Sequence, residues 1–435
     1  MKTFTKKLLL LSGALLLALP EAANALPGFA RQTGENCMAC HTQNIPKLNT
    51  HGRHFALSGY TLYDAKNENQ SLIEGSEVAL GLPAVLNVSA VLKVRYVKST
   101  QDTNNTEAIG TERGEIQVLE GSGLFFGGRV ANNVGSIVSL TGDPSSDNDV
   151  VFGGKAILAY ELLNGYAGLS LYSTKINGTF SGMENFNTGL NAPLKQFENA
   201  NSSNAAQATG IARGPATGLQ AYYGDDNFFA TFGAMIPSQN SEGLDAGGSV
   251  IPFARLAYNQ PIGKTWNIML GAYWLSGNMK ASDDALNGGL IETGAILTNI
   301  HKEGYGIDFE ASGNIGSITT MTTINVVLKN IVENSLATLK SPNLQVADNQ
   351  AASIEFQINP IAPLGVKVAY LSYNNNETLV DNPFVNWYDF NAPSLGLAYT
   401  PRQNIVLDVQ YSYIMPSGIP LNDYSELYVS AAIAF

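Results

Sequence analysis

Cysteine and histidine are concentrated in one short stretch of this chain. Residues 36–55 hold both cysteines and three of the four histidines found among 435 residues. Cys37, Cys40 and His41 form the pattern Cys-x-x-Cys-His, which is the attachment pattern of c-type haem. In that chemistry the two thiols form thioethers with the vinyl groups of the porphyrin, and the adjacent imidazole binds the iron. The spacing therefore predicts one covalently bound haem c.

Three other chemistries use the same thiols. A thioredoxin-like redox pair has this spacing, but it belongs to a βαβ context that the sequence pattern does not show. A disulfide between Cys37 and Cys40 would close a very small and strained loop. A tetrahedral zinc site of Cys37, Cys40, His51 and His54 is the more serious alternative, although its histidines are closer than the usual spacing of about three to five residues. Haem is the favoured interpretation, because the zinc site leaves His41 without a role.

The sixth iron ligand has two candidates. Residues 50–60 are expected to form a helix, in which His51 and His54 lie about one turn apart, so only one of them is expected to bind. His54 is favoured because the following Phe55 and Leu57 are placed to pack on the macrocycle. His51 is the alternative.

Basic residues of the same segment are candidates for binding the haem propionates. Arg31, Lys47 and Arg53 all lie within 16 positions of the haem pentapeptide in the sequence. A guanidinium or ammonium forms strong charge-assisted hydrogen bonds with a carboxylate. We therefore expect Arg31 and Arg53, and also Lys47, to contribute to cofactor binding.

The N-terminus has the pattern of an export signal. Lysines precede an apolar run over residues 8–19, and residues 23–25 (Ala-Asn-Ala) provide the small side chains that a signal peptidase requires. The run is short for a membrane anchor, since a spanning helix needs about 20 apolar residues. Residues 1–25 are therefore predicted to be a signal peptide, with Leu26 as the first mature residue.

The composition is unusual for a soluble globular chain. Only 14% of the residues are charged, against about a quarter in ordinary domains. The mean hydropathy is nevertheless zero, and the apolar run at the N-terminus is the only long one. A transmembrane barrel explains both facts, because its outward apolar and inward polar residues average out. The net charge of −12 and the lack of a basic stripe argue against a nucleic-acid partner.

The second half of the chain alternates between apolar and polar residues with period two, as a half-buried strand does. Residues 404–413 show the pattern over ten positions. Segments 354–359, 366–370 and 427–435 repeat it. The ten residues of 404–413 and the nine residues of 427–435 reach the roughly 9–11 residues that a tilted spanning strand needs. The chain ends on Phe435, which closes an apolar face as the last strand of many outer-membrane barrels does.

Connections between the predicted strands alternate between tight and long, as the periplasmic turns and external loops of outer-membrane barrels do. The tight ones are 359–363, 401–403 and 225–227, and the long ones are 177–214, 238–249, 278–289 and 374–391. Strand pairing between residues 290 and 350 is ambiguous. The expected fold is all-β, a transmembrane antiparallel β-barrel of about 16–18 strands. Residues 79–435 form this barrel, and residues 26–78 form a mainly helical or irregular haem segment that plugs it.

Around the haem pattern, the sequence GFARQTGENCMACHTQNIPKLNTHGRHFALSGYTL resembles the N-terminal segment of fused monohaem c-type cytochrome–porins of bacterial outer membranes. The best-known members of that family are outer-membrane iron oxidases. The resemblance implies one haem held in the barrel mouth or lumen. It also implies electron transfer from extracellular Fe(II) to a periplasmic carrier such as a soluble cytochrome. The resemblance is specific over these 35 residues, and over the barrel it concerns architecture alone. The matching residues are Phe29, Ala30, Arg31, Gln32, Thr33, Gly34, the haem pentapeptide, Pro46, Leu48, Gly52, Arg53, Phe55, Gly59 and Tyr60.

The leading functional prediction is one-electron transfer across the bacterial outer membrane, with the haem segment in the lumen or on the periplasmic side. One alternative is a porin or binding protein whose haem is structural or acts as a sensor. Another is outward delivery of electrons to an extracellular acceptor. A peroxidase-like enzyme would need acid–base partners that four histidines hardly provide. Loop solubility is the favoured explanation for the acidic residues of the predicted loops, and attraction of cations near the entrance is the alternative. These residues are Asp143, Asp147, Asp149, Glu242, Asp245, Asp283 and Asp284.

Overall fold

The computed structural model describes residues 26–42, 47–62, 72–73, 82–83, 87–100, 114–119, 121–142, 150–175, 177–183, 190, 197, 204–211, 213–238, 250–281, 297–334, 347–375, 389–402, 404–417 and 422–435. The signal peptide predicted over residues 1–25 and the seven acidic loop residues named above lie outside this part of the chain.

Antiparallel strands close into one barrel in the described part of the chain. The strands are β3 Val88–Ser99, β4 Glu115–Val118, β5 Gly123–Ala131, β6 Val134–Gly142, β7 Val150–Leu162, β8 Gly165–Thr174, β9 Ala216–Gly224, β10 Phe228–Ile236, β11 Ile251–Ile262, β12 Trp266–Ala281, β13 Leu297–Ile315, β14 Ile318–Asn334, β15 Ala347–Ile361, β16 Leu364–Asn375, β17 Asp389–Arg402, β18 Ile405–Ser417 and β19 Tyr424–Ala434. Both β4 and β5 pair with β3, so they form a single interrupted strand. The barrel therefore has 16 strands, within the range predicted from the sequence.

Alternation along the strands places apolar residues outside and polar residues inside. On β15, Ile354 is 45% exposed and Phe356 is 38% exposed. The alternate residues Glu355 and Gln357 are almost fully buried. Their neighbours on β16 follow the same rule, because Val368 pairs with Phe356 and faces outward. The period-two pattern in the sequence is thus confirmed as the lipid-facing and lumen-facing sides of a barrel, the architecture of outer-membrane porins.

The two ends of the barrel differ in the length of their connections. At one end the strands join through tight turns, of which the β11–β12 and β13–β14 turns contain Gly263 and Gly316 at φ of +62° and +63°. At the other end the strands are separated by the longer connections. The ambiguous region of the sequence contains two of the longest strands, β13 with 19 residues and β14 with 17 residues, which pair from Ile300–Asn334 down to Ile315–Ile318.

Three short helices precede the barrel. They are α1 Pro27–Thr33, α2 Cys37–Cys40 and α3 Thr50–Leu57, and a small sheet of β1 Leu72–Ile73 and β2 Leu82–Pro83 follows them. Asparagine side chains cap α2 and α3, since Asn36 accepts from the N–H of Ala39 and Asn49 accepts from the N–H of Gly52. The helix expected over residues 50–60 is confirmed, although it ends three residues earlier.

No helix among the described residues is long and apolar enough to cross a membrane.

The N-terminal helices lie inside the barrel and contact its wall near the tight-turn end. Gln32 donates to the carbonyls of Tyr60 and Leu62 and accepts from the backbone N–H of Arg129 on β5. The Tyr222 hydroxyl on β9 donates to the carbonyl of Leu57 at 2.7 Å. These bonds connect α1 to β5 and α3 to β9. Residues 26–62 are called the plug below.

The connection between β8 and β9 also enters the lumen. It contains a 3₁₀ turn at Thr179–Ser181 and helix α4 at Ala205–Ala208. The N–H of Ala205 donates to the Ser353 hydroxyl on β15 at 3.0 Å, and the Asn330 amide on β14 donates to the carbonyl of Thr209 at 2.6 Å. Apolar residues of this connection pack in a buried cluster with inward residues of many strands. The lumen is therefore occupied at two levels, by the plug and by this connection.

An arginine introduced on the outer face should distinguish a position in the hydrocarbon layer from a position near the membrane surface. Leu395, in the middle of β17, is 55% exposed. Leu395→Arg is expected to lower the free energy of unfolding by about 2–4 kcal/mol, because the guanidinium would lie in hydrocarbon. Urea titration of the barrel in lipid vesicles measures this change. Leu162→Arg at the end of β7 is the matched control, with an expected loss of about 0–1 kcal/mol near the interface. Equal losses at both positions would contradict a lipid-facing band.

Candidate functional site

Cys37, Cys40 and His41 line a single cavity of about 360 Å³ between the plug and the barrel wall. The wall side of the cavity is formed by β5, β6, β7 and β8, and the 3₁₀ turn of the β8–β9 connection bounds it toward the long connections. The structure thus brings together the three residues of the haem pattern. Further lining residues are Leu26, Phe29, Ala30, Thr33, Glu35, Asn36, Leu48, Gly52, Phe55, Ala56, Tyr60, Phe125, Ile137, Ser139, Gly153, Gly154, Lys155, Tyr172, Ser173, Thr174, Asn177 and Ser181.

The attachment loop is held by the beginning of α3. The N–H of His41 donates to the carbonyl of Cys37 at 2.9 Å, which makes the Cys-x-x-Cys stretch a single helical turn. The Asn49 amide donates to the carbonyl of Ala39 at 2.8 Å. Gly52 faces the carbonyl of Cys40 so closely that a Cβ would lie 2.1 Å from its oxygen. Any larger residue at position 52 would push α3 away from the loop.

Both thiols are partly removed from water. Burial raises the pKa of the Cys37 thiol, and burial together with the nearby Glu35 carboxylate and Cys37 raises the pKa of the Cys40 thiol to about 11. At neutral pH both sulfurs are therefore protonated and weakly nucleophilic toward solvent oxidants.

Three aromatic rings of the plug line the cavity. The Phe29 ring stacks on Tyr60 with centroids 5.0 Å apart and meets Phe55 edge-on at 5.1 Å. Leu26, together with these rings, forms the plug side of the cavity. Such a surface excludes water and packs well against a flat apolar macrocycle.

The barrel wall contributes Lys155 of β7, the only lysine or arginine among the lining residues that the structure describes. Its Nζ lies 5.4 Å from the Tyr60 ring centroid and 3.4 Å from the carbonyl of Ser181. Serine and threonine residues and an asparagine also line the cavity. The sequence reasoning missed Lys155, although a single lysine within an otherwise apolar strand is the signal that would have found it.

The predicted distal ligands lie outside this cavity. His51 Nε2 is 2.8 Å from a carboxylate oxygen of Glu35, and both side chains are exposed. The His54 ring meets Tyr166 of β8 edge-on, with centroids 5.1 Å apart. Ligand atoms of Glu35, Cys40 and His51 lie within 4.8 Å of one another, whereas the zinc alternative required Cys37 and His54 in one group. The choice of His54 as sixth ligand stays a prediction.

The three basic candidates hold the plug in the barrel and do not line the cavity. Arg31 donates to the carbonyl of Val88 at the start of β3. Lys47, 1% exposed, forms an ion pair with Glu310 of β13 at 3.6 Å. Burial lowers the pKa of Arg53, while the carboxylates of Glu310 and Asp226 oppose that shift. Their predicted role in propionate binding is not tested by these contacts.

Ion pairs continue across the lumen wall. Arg255 of β11 and Asp308 of β13 form a fully buried bidentate pair at 2.5 and 3.1 Å. Lys367 of β16 and Asp408 of β18 lie 2.5 Å apart. A charge in such a position is retained only with a partner, because an unpaired buried charge is very costly. The buried charges of these four residues are therefore compensated within the wall itself.

Comparisons with known proteins bear on the barrel alone. Neither the known protein-family models nor the curated proteins match this sequence. Similar solved structures include a loop L8 deletion mutant of OmpT, an outer membrane protein of Vibrio cholerae, with 12% identity and a TM-score of 0.49 over 81% of this chain and 99% of that chain. An anion-selective porin from Comamonas acidovorans has 12% identity and a TM-score of 0.45 over 81% and 99% of the two chains. OccAB1 of Acinetobacter baumannii has 9% identity and a TM-score of 0.46 over 85% and 99%.

Removing the Glu310 carboxylate should loosen the plug. Glu310→Gln leaves Lys47 buried without its ionic partner, at an expected cost of about 3–5 kcal/mol to the docked state. Hydrogen exchange of the amides of residues 47–60, measured on the purified protein, should become faster while the strands stay protected. Glu426→Gln, at another buried carboxylate of the lumen wall, is the matched control and should leave the plug amides slow. Equal protection of the plug in both variants would show that the Lys47–Glu310 pair does not hold it.

Proposed function

We propose that this chain carries one covalent haem c inside an outer-membrane barrel and passes single electrons across that membrane. The donor is an extracellular reductant such as Fe(II), and the acceptor is a periplasmic carrier such as a soluble cytochrome. The observation that supports this most strongly is the convergence of Cys37, Cys40 and His41 on one cavity. The resemblance of residues 28–62 to the cytochrome–porins agrees with it.

The residues of the cavity fit a c-type haem. Cys37 and Cys40 would hold it by thioether bonds, and His41 would bind its iron. When bound, the haem supplies a one-electron Fe(III)/Fe(II) couple. The Phe29, Phe55 and Tyr60 rings would exclude water from one face. A covalent attachment suits a plug that has too few residues to enclose a cofactor by itself.

Lys155 is the residue placed to bind a propionate, because it is the only lysine or arginine among the described residues that line the cavity. Arg31, Lys47 and Arg53 do not line the cavity, and their role in propionate binding stays a prediction. Ligation by His54 would require its ring to leave Tyr166. His41 is the only histidine among the described lining residues.

The barrel gives the cofactor its location. Short turns face the periplasm in outer-membrane barrels and long loops face the exterior. The plug contacts the tight-turn half of the wall, so a periplasmic carrier would approach the haem segment from that end. An extracellular donor would approach through the end with the long connections. The direction of electron transfer depends on the reduction potentials of the two partners. The same arrangement would also serve delivery of electrons to an extracellular acceptor.

A porin whose haem is structural is the second candidate, because a 16-stranded barrel is wide enough for a channel. Two segments of this chain occupy the lumen, the plug and the β8–β9 connection. They leave less room for solute than an open channel of this size, which favours the electron-transfer function. A sensor role would use the same cavity.

The deciding experiment is an absorption spectrum of purified outer membranes before and after Fe(II) is added without oxygen. We expect c-type bands that change from the oxidised to the reduced form on Fe(II) addition, with a positive pyridine haemochrome assay. Cys37→Ala should lose at least one thioether and yield far less covalent haem. A c-type spectrum that responds to dithionite and not to Fe(II) would exclude Fe(II) as the donor and favour the structural, sensing or outward alternatives. Complete absence of haem would refute the proposed function.

The role of Lys155 has its own test. Lys155→Gln removes a positive charge from the wall of the cavity. Losing this charge stabilises the oxidised haem relative to the reduced haem, because the oxidised form carries one more positive charge. We expect the midpoint potential to fall by on the order of tens of millivolts. Spectroelectrochemical titration measures it. Lys329→Gln, at a lysine paired with Glu303 away from the cavity, is the control, and a shift of the same size in the control would refute propionate binding by Lys155.

A further inference from the structure

Glu35 and His51 form an exposed carboxylate–imidazole pair next to the attachment loop. His51 Nε2 lies 2.8 Å from Glu35 Oε2, and the two side chains are 48% and 40% exposed. The Lys47–Glu310 ion pair, which joins the plug to the lumen wall, is in contrast buried. An exposed pair of this kind contributes only about 0–1 kcal/mol to the free energy of unfolding. Stabilisation of the fold therefore does not explain why these two residues are paired.

The pair is positioned by the same contacts that position the haem pattern. Glu35 follows Gly34, whose αL conformation (φ +71°) ends α1, and its N–H donates to the Thr33 hydroxyl at 3.4 Å. His51 is in the first turn of α3, and α3 is fixed against the attachment loop by Gly52. The geometry of the pair is therefore coupled to that of Cys40.

The ligand atoms of Glu35, His51 and Cys40 all lie within 4.8 Å of one another. Glu35 also lines the cavity that contains Cys40 and His41. An ion held between the carboxylate and the imidazole would thus lie beside the sulfur through which Cys40 binds the cofactor.

The chemistry of the pair suits a first-row divalent metal ion. Imidazole nitrogen and carboxylate oxygen are ligands that Fe(II) accepts, and in a thioether the Cys40 sulfur is a soft and weak donor. Two protein ligands leave the remaining positions to water, so the ion would bind weakly and exchange. Weak, exchangeable binding is what a substrate ion requires, whereas a structural ion needs a closed shell of protein ligands.

We propose that Glu35 and His51 bind the substrate cation, a divalent metal ion such as Fe(II), at the Cys40 edge of the cofactor. This inference rests on the proposed function for its physiological meaning, since it names the place where the donor is held. In the oxidation of the ion, Fe(II) would lose one electron to become Fe(III), and a haem held by Cys37, Cys40 and His41 would supply the one-electron acceptor. No covalent bond is formed or broken and no proton is required by the transfer itself.

The first test is binding, measured on the full-length, haem-loaded protein in detergent. Mn(II) is the probe, because the signal of the free ion in electron paramagnetic resonance disappears as it binds. The variant is the double substitution Glu35→Gln and His51→Gln. Its matched control is Glu161→Gln with His301→Gln, which removes one carboxylate and one imidazole elsewhere on the protein. Loss of an outer-shell partner already weakens metal sites by about 10–100-fold, so loss of both ligands should weaken this site by at least about tenfold.

The second test is the rate at which Fe(II), at concentrations below saturation, reduces the haem in a stopped-flow experiment. We expect the double variant to react at least about tenfold more slowly than the control, while dithionite reduces both at the same rate. The equal dithionite rates would show that the haem itself is intact in the variant. Zn(II) should slow the wild-type reaction with Fe(II) and have little effect on the double variant.

The outcomes separate this inference from the proposed function. Equal Mn(II) affinities and equal Fe(II) rates in the double variant and the control would overturn the site. If the wild type binds Mn(II) through this pair but Fe(II) does not reduce its haem, the cation site stands and Fe(II) oxidation fails. If Fe(II) reduces the haem equally in both variants, the donor assignment stands and the site is wrong.

Discussion

The buried ion pair between Lys47 and Glu310 joins the plug to the barrel wall. The plug has three short helices and no core of its own, and the barrel wall is curved around a polar lumen. Lys47 and Glu310 are both almost fully buried, so each needs the other to remain charged. Arg53 adds a second positive charge facing the same carboxylate. Docking by these charges brings the attachment loop against β5–β8, and the cavity exists only because both sides are in place.

The lining of the cavity is divided between the plug and the barrel wall. The plug contributes Phe29, Phe55 and Tyr60, which a short segment can pack against one another. The wall contributes both apolar and polar inward-facing residues, among them Ile137 and Lys155. The proposed haem would therefore meet aromatic rings of the plug and a positive charge of the wall. The 3₁₀ turn at Thr179–Ser181 bounds the cavity toward the long connections, so the same polypeptide that crosses the lumen also shields the site.

Much of the architecture was predictable from the sequence because it depends on local patterns. Period-two alternation, as at residues 404–413, is a property of each strand and predicts a barrel when it is repeated with tight and long connections. The haem pattern occupies five consecutive residues, and the helix after it begins at a capping asparagine. The pairing of β13 with β14 was not predictable, because neither long strand has a clean alternation at both of its ends. Contacts such as Lys47 with Glu310, and the approach of Lys155 to Tyr60, join residues far apart in the chain. Composition and spacing do not encode which lumen residue meets which plug residue, so the basic residues Arg31 and Arg53 were assigned from chemistry alone.

The central claim is that a covalent haem lies at Cys37, Cys40 and His41 inside the barrel. Mass spectrometry of the protease fragment that contains residues 37–41, released from the purified mature protein, tests it most directly. The account predicts one fragment whose mass is increased by one haem and in which both cysteines resist alkylation under denaturing conditions. A fragment of unmodified mass, with two thiols that alkylate freely or with a disulfide between them, would contradict it.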